Sequence, residues 1–340
     1  MKRPSMVSSI CLALLMAAAA LTSAKSAAAA ETVVVYSARN EQLIKPLFDR
    51  FTAETGIEVR FTTADAAVLI ERLAAEGRNS QADMLMTVDA GELWNAANRG
   101  LLRPTRSKTL ETNVPATLRD PENRWVGLSQ RARTIVYHPG RVDPKTLGSY
   151  EDLANRQWRG RLCLRSSKKV YNQSLVAMMI SARGEAKTEA TVRGWVANLA
   201  APPFANDNQV IEAIAAGQCD VGLVNTYYLG RILQKQPDFP VRIHWANQQG
   251  DGTHVNISGA GITLHARNPV GAQKLLEWLS AGEAQRLFAG LNMEYPVNPA
   301  VPLDPLVASW GSFTPSRINI VEAGRQQATA VRVMDRAGWR

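Results

Sequence analysis

Short apolar runs alternate along the chain with stretches whose apolar positions recur every third or fourth residue, the two periods of strands and amphipathic helices. Thr32-Val33-Val34-Val35-Tyr36 reads as a strand covered on both faces. Over residues 41–55, Leu43, Ile44, Leu47, Phe48 and Phe51 share one helical face, and Gly56 supplies the stop. Residues 57–61 return to strand, followed by a helix over 69–75, a strand over 84–88 and a helix over 91–98 closed by Gly100. This alternation predicts parallel βαβ units and argues against an all-α or sandwich fold.

A second series begins after Arg133. Thr134-Ile135-Val136-Tyr137 is a strand leading into the turn His138-Pro139-Gly140, and residues 161–165 form another. Helices follow over 172–182, 189–199 and 209–216, then a strand over 219–224. In the strand predicted for 257–264, Gly259 and Gly261 mark where backbone approaches backbone or bends. Helices over 270–280 and 283–291 return toward the first series. A last helix over 318–334 has no lobe assigned by the pattern.

The N-terminus reads as an export signal. Met1-Lys2-Arg3 is positive, residues 4–24 carry no charge, and Ala28-Ala29-Ala30 offers the small residues a signal peptidase needs, which places cleavage before Glu31. The alternative, an uncleaved anchor, requires a longer apolar span than this alanine-rich one. Cys11 lies inside the apolar run, a poor place for lipid attachment. Cleavage leaves Cys163 and Cys219 in an oxidising compartment, where they either pair or remain two buried thiols.

The expected fold class is therefore α/β: a two-lobed, hinged binding protein of the periplasmic type II architecture, its cleft between lobes joined by hinge strands. Residues 1–30 are the signal, 31–130 with 258–300 the first lobe, 131–257 the second, and 301–340 a helical segment. Ligands of such folds lie at the carboxyl ends of strands, in the cleft.

Composition agrees. With 46% hydrophobic and 20% charged residues among 340, and only 23 Gly and 17 Pro, the chain is neither disordered nor collagen-like, and it is long enough for two lobes. The net charge of +9 falls to +6 when Lys2, Arg3 and Lys25 leave with the signal. The remaining charge forms no basic run interleaved with aromatics, so nucleic acid is not an expected partner.

Enzyme signatures are missing. There is no Gly-x-Ser-x-Gly elbow, no dinucleotide or phosphate loop and no His-Glu-x-x-His, and His138, His244, His254 and His265 lack zinc-ligand spacing. The informative residues are tyrosines, of which there are only seven. Tyr227 and Tyr228 follow the strand Val221-Gly222-Leu223-Val224 directly after Asn225-Thr226, and Tyr171 holds the matching place after the basic turn Ser166-Ser167-Lys168-Lys169. A phenol has an ordinary pKa of about 10, but a bound cation can take its proton. Three phenolates would neutralise a hard trivalent ion such as Fe³⁺. The bland alternative is that the tyrosine pair merely opens a helix, one ring packed and one exposed.

These segments, with Val35-Tyr36-Ser37-Ala38-Arg39, Ala82-Asp83-Met84-Leu85-Met86-Thr87-Val88-Asp89, Leu128-Ser129-Gln130-Arg131-Ala132-Arg133, Cys163-Leu164-Arg165-Ser166-Ser167, Tyr171-Asn172-Gln173-Ser174-Leu175 and Gly252-Thr253-His254-Val255-Asn256-Ile257-Ser258-Gly259, resemble the periplasmic ferric-ion-binding proteins of iron ABC transporters. The resemblance spans roughly residues 33–305, and its most specific pieces are Asn225-Thr226-Tyr227-Tyr228 and Tyr171-Asn172-Gln173-Ser174. It implies Tyr171, Tyr227 and Tyr228 as ligands of transported Fe³⁺, and Arg131 as the holder of a synergistic anion, carbonate or bicarbonate. A guanidinium fork suits such an oxyanion. An inter-lobe salt bridge is the competing role for Arg131. Arg231, one turn after Tyr228, is placed to support a phenolate or else to face solvent. Where many members carry His or His-Tyr after the first strand, this chain has Asn40-Glu41, which leaves Asn40 and Glu41 as outer candidates only and resembles the branch that uses three tyrosines with anion and solvent.

The resemblance implies a periplasmic monomer, not an enzyme, that hands iron to an inner-membrane permease and its ATPase. Two alternatives remain: the same fold binding a small oxyanion such as a phosphonate or sulfonate, with Lys168 and Lys169 contributing charge, and, more remotely, an exported hydrolase or transferase.

Overall fold

The computed structural model describes residues 31–340, so the export-signal reading lies outside the described residues. Along the chain run β1 (Thr32–Ser37), α1 (Glu41–Thr55), β2 (Glu58–Thr63), α2 (Ala66–Glu76), β3 (Met84–Thr87), α3 (Ala90–Asn98), α4 (Lys108–Asn113), β4 (Val126–Tyr137) and β5 (Leu162–Cys163). Then come α5 (Val170–Arg183), α6 (Glu185–Ala197), α7 (Asp207–Ala215), β6 (Val221–Asn225), α8 (Thr226–Lys235), β7 (Arg242–His244) and β8 (Val255–Ile262). The last elements are α9 (Pro269–Leu279), α10 (Gly282–Asn292), β9 (Tyr295–Pro296), α11 (Pro305–Ala308), α12 (Glu322–Arg325) and α13 (Gln327–Ala337). Among the described residues no helix is long and apolar enough to cross a membrane.

The strands lie in the order β2-β1-β3-β8-β4-β6-β5, with β7 and β9 also on β4. Only part of this is parallel, which corrects the βαβ expectation: β1 runs parallel to β2 and β3, and β5 to β6, whereas β8 is antiparallel to β3 and β4, and β6 to β4. The two series thus meet through antiparallel strands.

In the first series both sheet faces are covered. Val33, Val35, Met84, Met86 and Ile262 pack with Ile44, Phe48 and Phe51 of α1 and with Leu275 and Phe288, while the alternate positions Tyr36 and Leu85 pack with Leu69, Leu73 and Leu93. That two-sided burial explains why these strands read as continuous apolar runs. In the second series Ile135, Val221 and Leu223 face Trp158, Trp195 and Leu175, while Val136 and Val224 face Val210, Ile214 and Leu229. Gly222 is required here: a Cβ would lie 2.7 Å from Val210 and 2.9 Å from the Cys163 carbonyl. The glycines of β8 serve the same purpose, with Gly259 and Gly261 set against the carbonyls of Val126 and Arg124.

The connection between the two series differs from the sequence expectation. β4 is a single strand, not a strand starting at Thr134: residues Val126 to Ala132 pair with β8, and Arg133 to Tyr137 pair with β6 and β7. The segment Ser129-Gln130-Arg131-Ala132-Arg133 broke the apolar pattern because Ser129, Arg131 and Arg133 are polar yet buried, the two arginines at 2% exposure each. The strand expected at 161–165 shrinks to Leu162–Cys163. The C-terminal helix expected over 318–334 begins only at Glu322 and is split into α12 and α13. Ile320 and Val321 pack with the first series, whereas Val333, Met334 and Trp339 pack with the second, Trp339 edge-on to Trp195 at 5.8 Å.

Cys163 and Cys219 form a disulfide with a Cα–Cα separation of 5.9 Å. It ties β5 to the entry of β6, the strand whose far end leads into the tyrosine pair.

Candidate functional site

The tyrosines are placed by turns whose polar groups are held from below. Asn172, one residue into α5 from Tyr171, donates to the carbonyls of Arg165 (3.1 Å) and Ser166 (2.9 Å), locking the basic turn against the helix start. Its amide oxygen accepts from Arg133 Nε at 2.9 Å. Arg133 also donates to Asp207 (2.9 Å), Asn225 (3.1 Å) and the Leu223 carbonyl (3.0 Å). One buried guanidinium thereby joins β4, α5, α7 and the end of β6. Asn225 in turn donates to the Tyr227 hydroxyl at 3.3 Å.

The two rings of Tyr227 and Tyr228 lie 4.5 Å apart, and the phenols of Tyr171 and Tyr227 are near enough to act on each other. Behind Tyr227 stand Met293, Tyr295 and Val307. Cations surround the rings: Arg131, Arg165 and Lys169 lie 5.6, 5.6 and 5.1 Å from the centre of Tyr171, and Arg231 lies 5.0 Å from that of Tyr227. Burial raises the Tyr171 phenol above its usual value against the pull of Arg131, and burial with its tyrosine neighbours raises Tyr227 well above it. With no cation bound, these two phenols keep their protons at neutral pH.

Tyr171, Tyr227, Tyr228, Arg131, Arg231 and Asn40 all line one cavity of about 530 Å³. Glu41 does not: it lies exposed in the first turn of α1, on a separate depression with Lys45 and Pro46. Asn40 spends its side-chain oxygen on the Gln42 amide as the cap of that helix. Arg131 and Arg133 divide their work. Arg133 is consumed by protein partners, whereas Arg131 donates one nitrogen to the Val88 carbonyl and leaves Nη1 buried without a partner. Among the described residues Arg131 enters no ion pair.

Sequence reasoning missed other cavity residues. Arg39, Ser258 and Glu294 form a floor in which Arg39 and Glu294 pair at 3.3 Å, both nearly closed to solvent. Asp65 stands exposed at the start of α2, and Glu92 reaches the cavity from α3. Glu92 could have been found as the acidic residue one turn past a predicted strand end, but it also reads as an ordinary first-turn carboxylate. Burial and the nearby Asp89 carboxyl push it up to about 8. Among the described residues no group of three or more His, Cys, Asp or Glu is placed to hold a metal, so a cation in this cavity would depend on the phenols.

A two-lobed α/β molecule with its cavity at strand ends between the lobes has the architecture of a solute-binding protein. Residues 33–290 match the model of the bacterial extracellular solute-binding proteins, and the chain belongs to that family. It is 44% identical over 312 residues to iron uptake protein A1 of Synechocystis, covering 90% of this chain and 87% of that one. The solved structure of the Trichodesmium protein IdiA (FutA) in complex with iron and citrate ligands superposes with a TM-score of 0.87 at 43% identity, over 91% of this chain and all of that one. The ferric binding protein of Campylobacter jejuni gives 0.85 at 34% identity, over 91% of this chain and all of that one.

Proposed function

We propose that the protein captures ferric iron in its cleft through the oxygens of Tyr171, Tyr227 and Tyr228, with an anion on Arg131, and delivers it to a membrane permease. The observation that carries this reading is the meeting of three tyrosines with a guanidinium that keeps one nitrogen unpartnered in the same cavity. Unlike Arg133, Arg131 holds hydrogen-bonding capacity in reserve, and a buried unsatisfied donor is costly unless a ligand completes it.

Charge accounting supports an anion. Three phenolates balance one Fe³⁺. The cavity is further lined by five cationic side chains, Arg39, Arg131, Lys168, Lys169 and Arg231, and by three carboxylates, Asp65, Glu92 and Glu294. Cationic side chains outnumber acidic ones along this wall, a setting that favours an anionic co-ligand such as carbonate. The cavity volume also admits a polycarboxylate, and the iron-bound Trichodesmium structure contains citrate.

The chain acts as a binder, not an enzyme, and as a periplasmic monomer released by cleavage near Ala30. Its partners are an inner-membrane permease and the ATPase that drives it. The lobes 31–130 with 258–300, and 131–257, move about β4 and β8, with Asn40 and Arg231 outside the metal's own shell. Protein loaded with a ferric salt and bicarbonate should show a tyrosinate-to-iron colour that Tyr227→Phe abolishes. A colourless protein with no heat of iron binding would sink the reading. The cationic lining also favours an oxyanion ligand with the phenols as donors. Metal analysis of freshly prepared protein separates the two.

A further inference from the structure

Three phenolates and a bidentate anion make five oxygen contacts, one short of the six of an octahedral ion. Asn40, at the end of β1, is turned to its own helix, and Glu41 lies outside the cavity. Among the acidic groups at or beside the cavity, most are already engaged. Asp89 accepts from the Gly91 amide, Ser174 and Asn256, each at 2.7 Å. Glu294 accepts from Ser129 at 2.6 Å and pairs with Arg39. Asp65 is exposed to water at the mouth.

Glu92 is engaged only in part: the Val88 backbone amide acts on its carboxyl, and one oxygen is left over. It lines the cavity from the first turn of α3, opposite the tyrosines, and its Oε2 is closed to solvent with no hydrogen-bond partner. Among the described residues it forms no ion pair, although Lys169 and Arg131 are near enough to attract it. A carboxylate oxygen shut away from water without a donor is a costly arrangement that a hard cation relieves.

We propose that Glu92 is the ferric site's oxygen donor from the α3 side of the cleft, its free Oε2 completing the coordination sphere begun by Tyr171, Tyr227, Tyr228 and the anion. The proposal rests on the ferric reading above and adds a metal-holding residue from the opposite wall of the cavity. Iron bound this way bridges α3 to α5 and α8, so the cargo itself holds the cleft shut.

The test uses the full mature chain as wild type, Glu92→Gln and Glu92→Asp, titrated with Fe³⁺ from ferric nitrilotriacetate in bicarbonate and, separately, with redox-inert Ga³⁺. Glu92→Gln should bind both ions at least roughly 10–100-fold more weakly, the loss seen when even an outer partner of a metal ligand is removed. Its phenolate-to-iron band should move to longer wavelength, because a ferric ion with one fewer anionic donor is the better electron acceptor. Glu92→Asp should restore part of the affinity and return the band toward wild type. Melting of the metal-free forms reports folding independently. Unchanged affinity and an unmoved band in Glu92→Gln would overturn the proposal, as would weaker binding with an unmoved band, which assigns the residue to the anion or the fold. A wild type that binds neither ion would instead overturn the ferric reading itself.

Discussion

Arg133 and Asp207 form an ion pair of 2.9 Å in which both side chains are closed to solvent. Two residues earlier on the same strand, Arg131 is equally buried but, among the described residues, enters no ion pair. The strand thus carries one arginine for the protein and one in reserve.

Removing Asp207 leaves a buried guanidinium uncompensated. Asp207→Asn should cost about 3–5 kcal/mol in urea denaturation of the metal-free protein, and it should loosen Asn225, whose backbone N–H donates to Asp207 at 3.0 Å. A loss under about 1 kcal/mol would mean that Asn172 and the Leu223 carbonyl suffice to hold Arg133.

Arg131 should behave in the opposite sense. Arg131→Met removes a buried, partly unsatisfied charge, so the metal-free protein should unfold at the same denaturant concentration as wild type or higher. Iron binding in bicarbonate should fall steeply, and Arg131→Lys should recover only part of it, since an ammonium cannot reproduce the bidentate fork. If Arg131→Met kept wild-type iron affinity and the same dependence on bicarbonate, the anion would have to lie elsewhere.

The contrast between these arginines also marks how far the sequence could be read. Elements with continuous apolar runs or a single helical face, such as β1 and α1, were legible because burial acts on each residue through its own hydrophobicity. β4 was hidden at Ser129 to Arg133 because those polar residues are satisfied, or left free, by groups distant in the chain: Glu294 for Ser129, Asn172, Asp207 and Asn225 for Arg133. The tyrosines stood out because they are few and follow strand ends. Glu92 did not, because a glutamate in the first turn of a helix needs no other explanation. Its unpartnered oxygen is visible only when the whole cavity wall is assembled.

Acid should release the iron. Burial raises the Tyr171 and Tyr227 phenols in the metal-free cleft, so on the proposed ferric reading each would give up a proton as iron binds and reclaim it as iron leaves. Affinity should therefore rise with pH and fall as protons compete, with proton release measurable by calorimetry in buffers of different ionisation heat. Tyr171→Phe should reduce the number of protons released along with the affinity. A binding constant independent of pH would mean that the phenols bind without ionising.

Reduction offers a test of the scaffold. The Cys163–Cys219 bond spans 56 residues, and cross-links of that length constrain the unfolded chain by about 4 kcal/mol. The paired replacement Cys163→Ala with Cys219→Ala should lower unfolding stability by a few kcal/mol while leaving the charge-transfer colour of any folded, iron-loaded protein in place. Protein lacking residues 1–30, and with them Cys11, should react with no thiol reagent unless reduced, since Cys163 and Cys219 are joined.

His254 should make folding sensitive to acid. Its ring is buried with neither nitrogen hydrogen-bonded, facing Tyr150 and the positive charges of Arg133 and Arg131. Burial first, then those arginines, hold it down to about 3, against an ordinary value of about 6.5 in the unfolded chain. Between these values the unfolded chain binds a proton that the folded chain refuses, so the folded state loses stability as the pH falls through that window and keeps it above. Glutamine at this position does not titrate. The stability difference between wild type and His254→Gln, measured by urea denaturation of metal-free protein, should shift against wild type as the pH is lowered from about 7 to about 4. A difference that stayed constant across that range would show that the histidine accepts its proton in the folded state as readily as in the unfolded one, through a buried partner such as a bridging water.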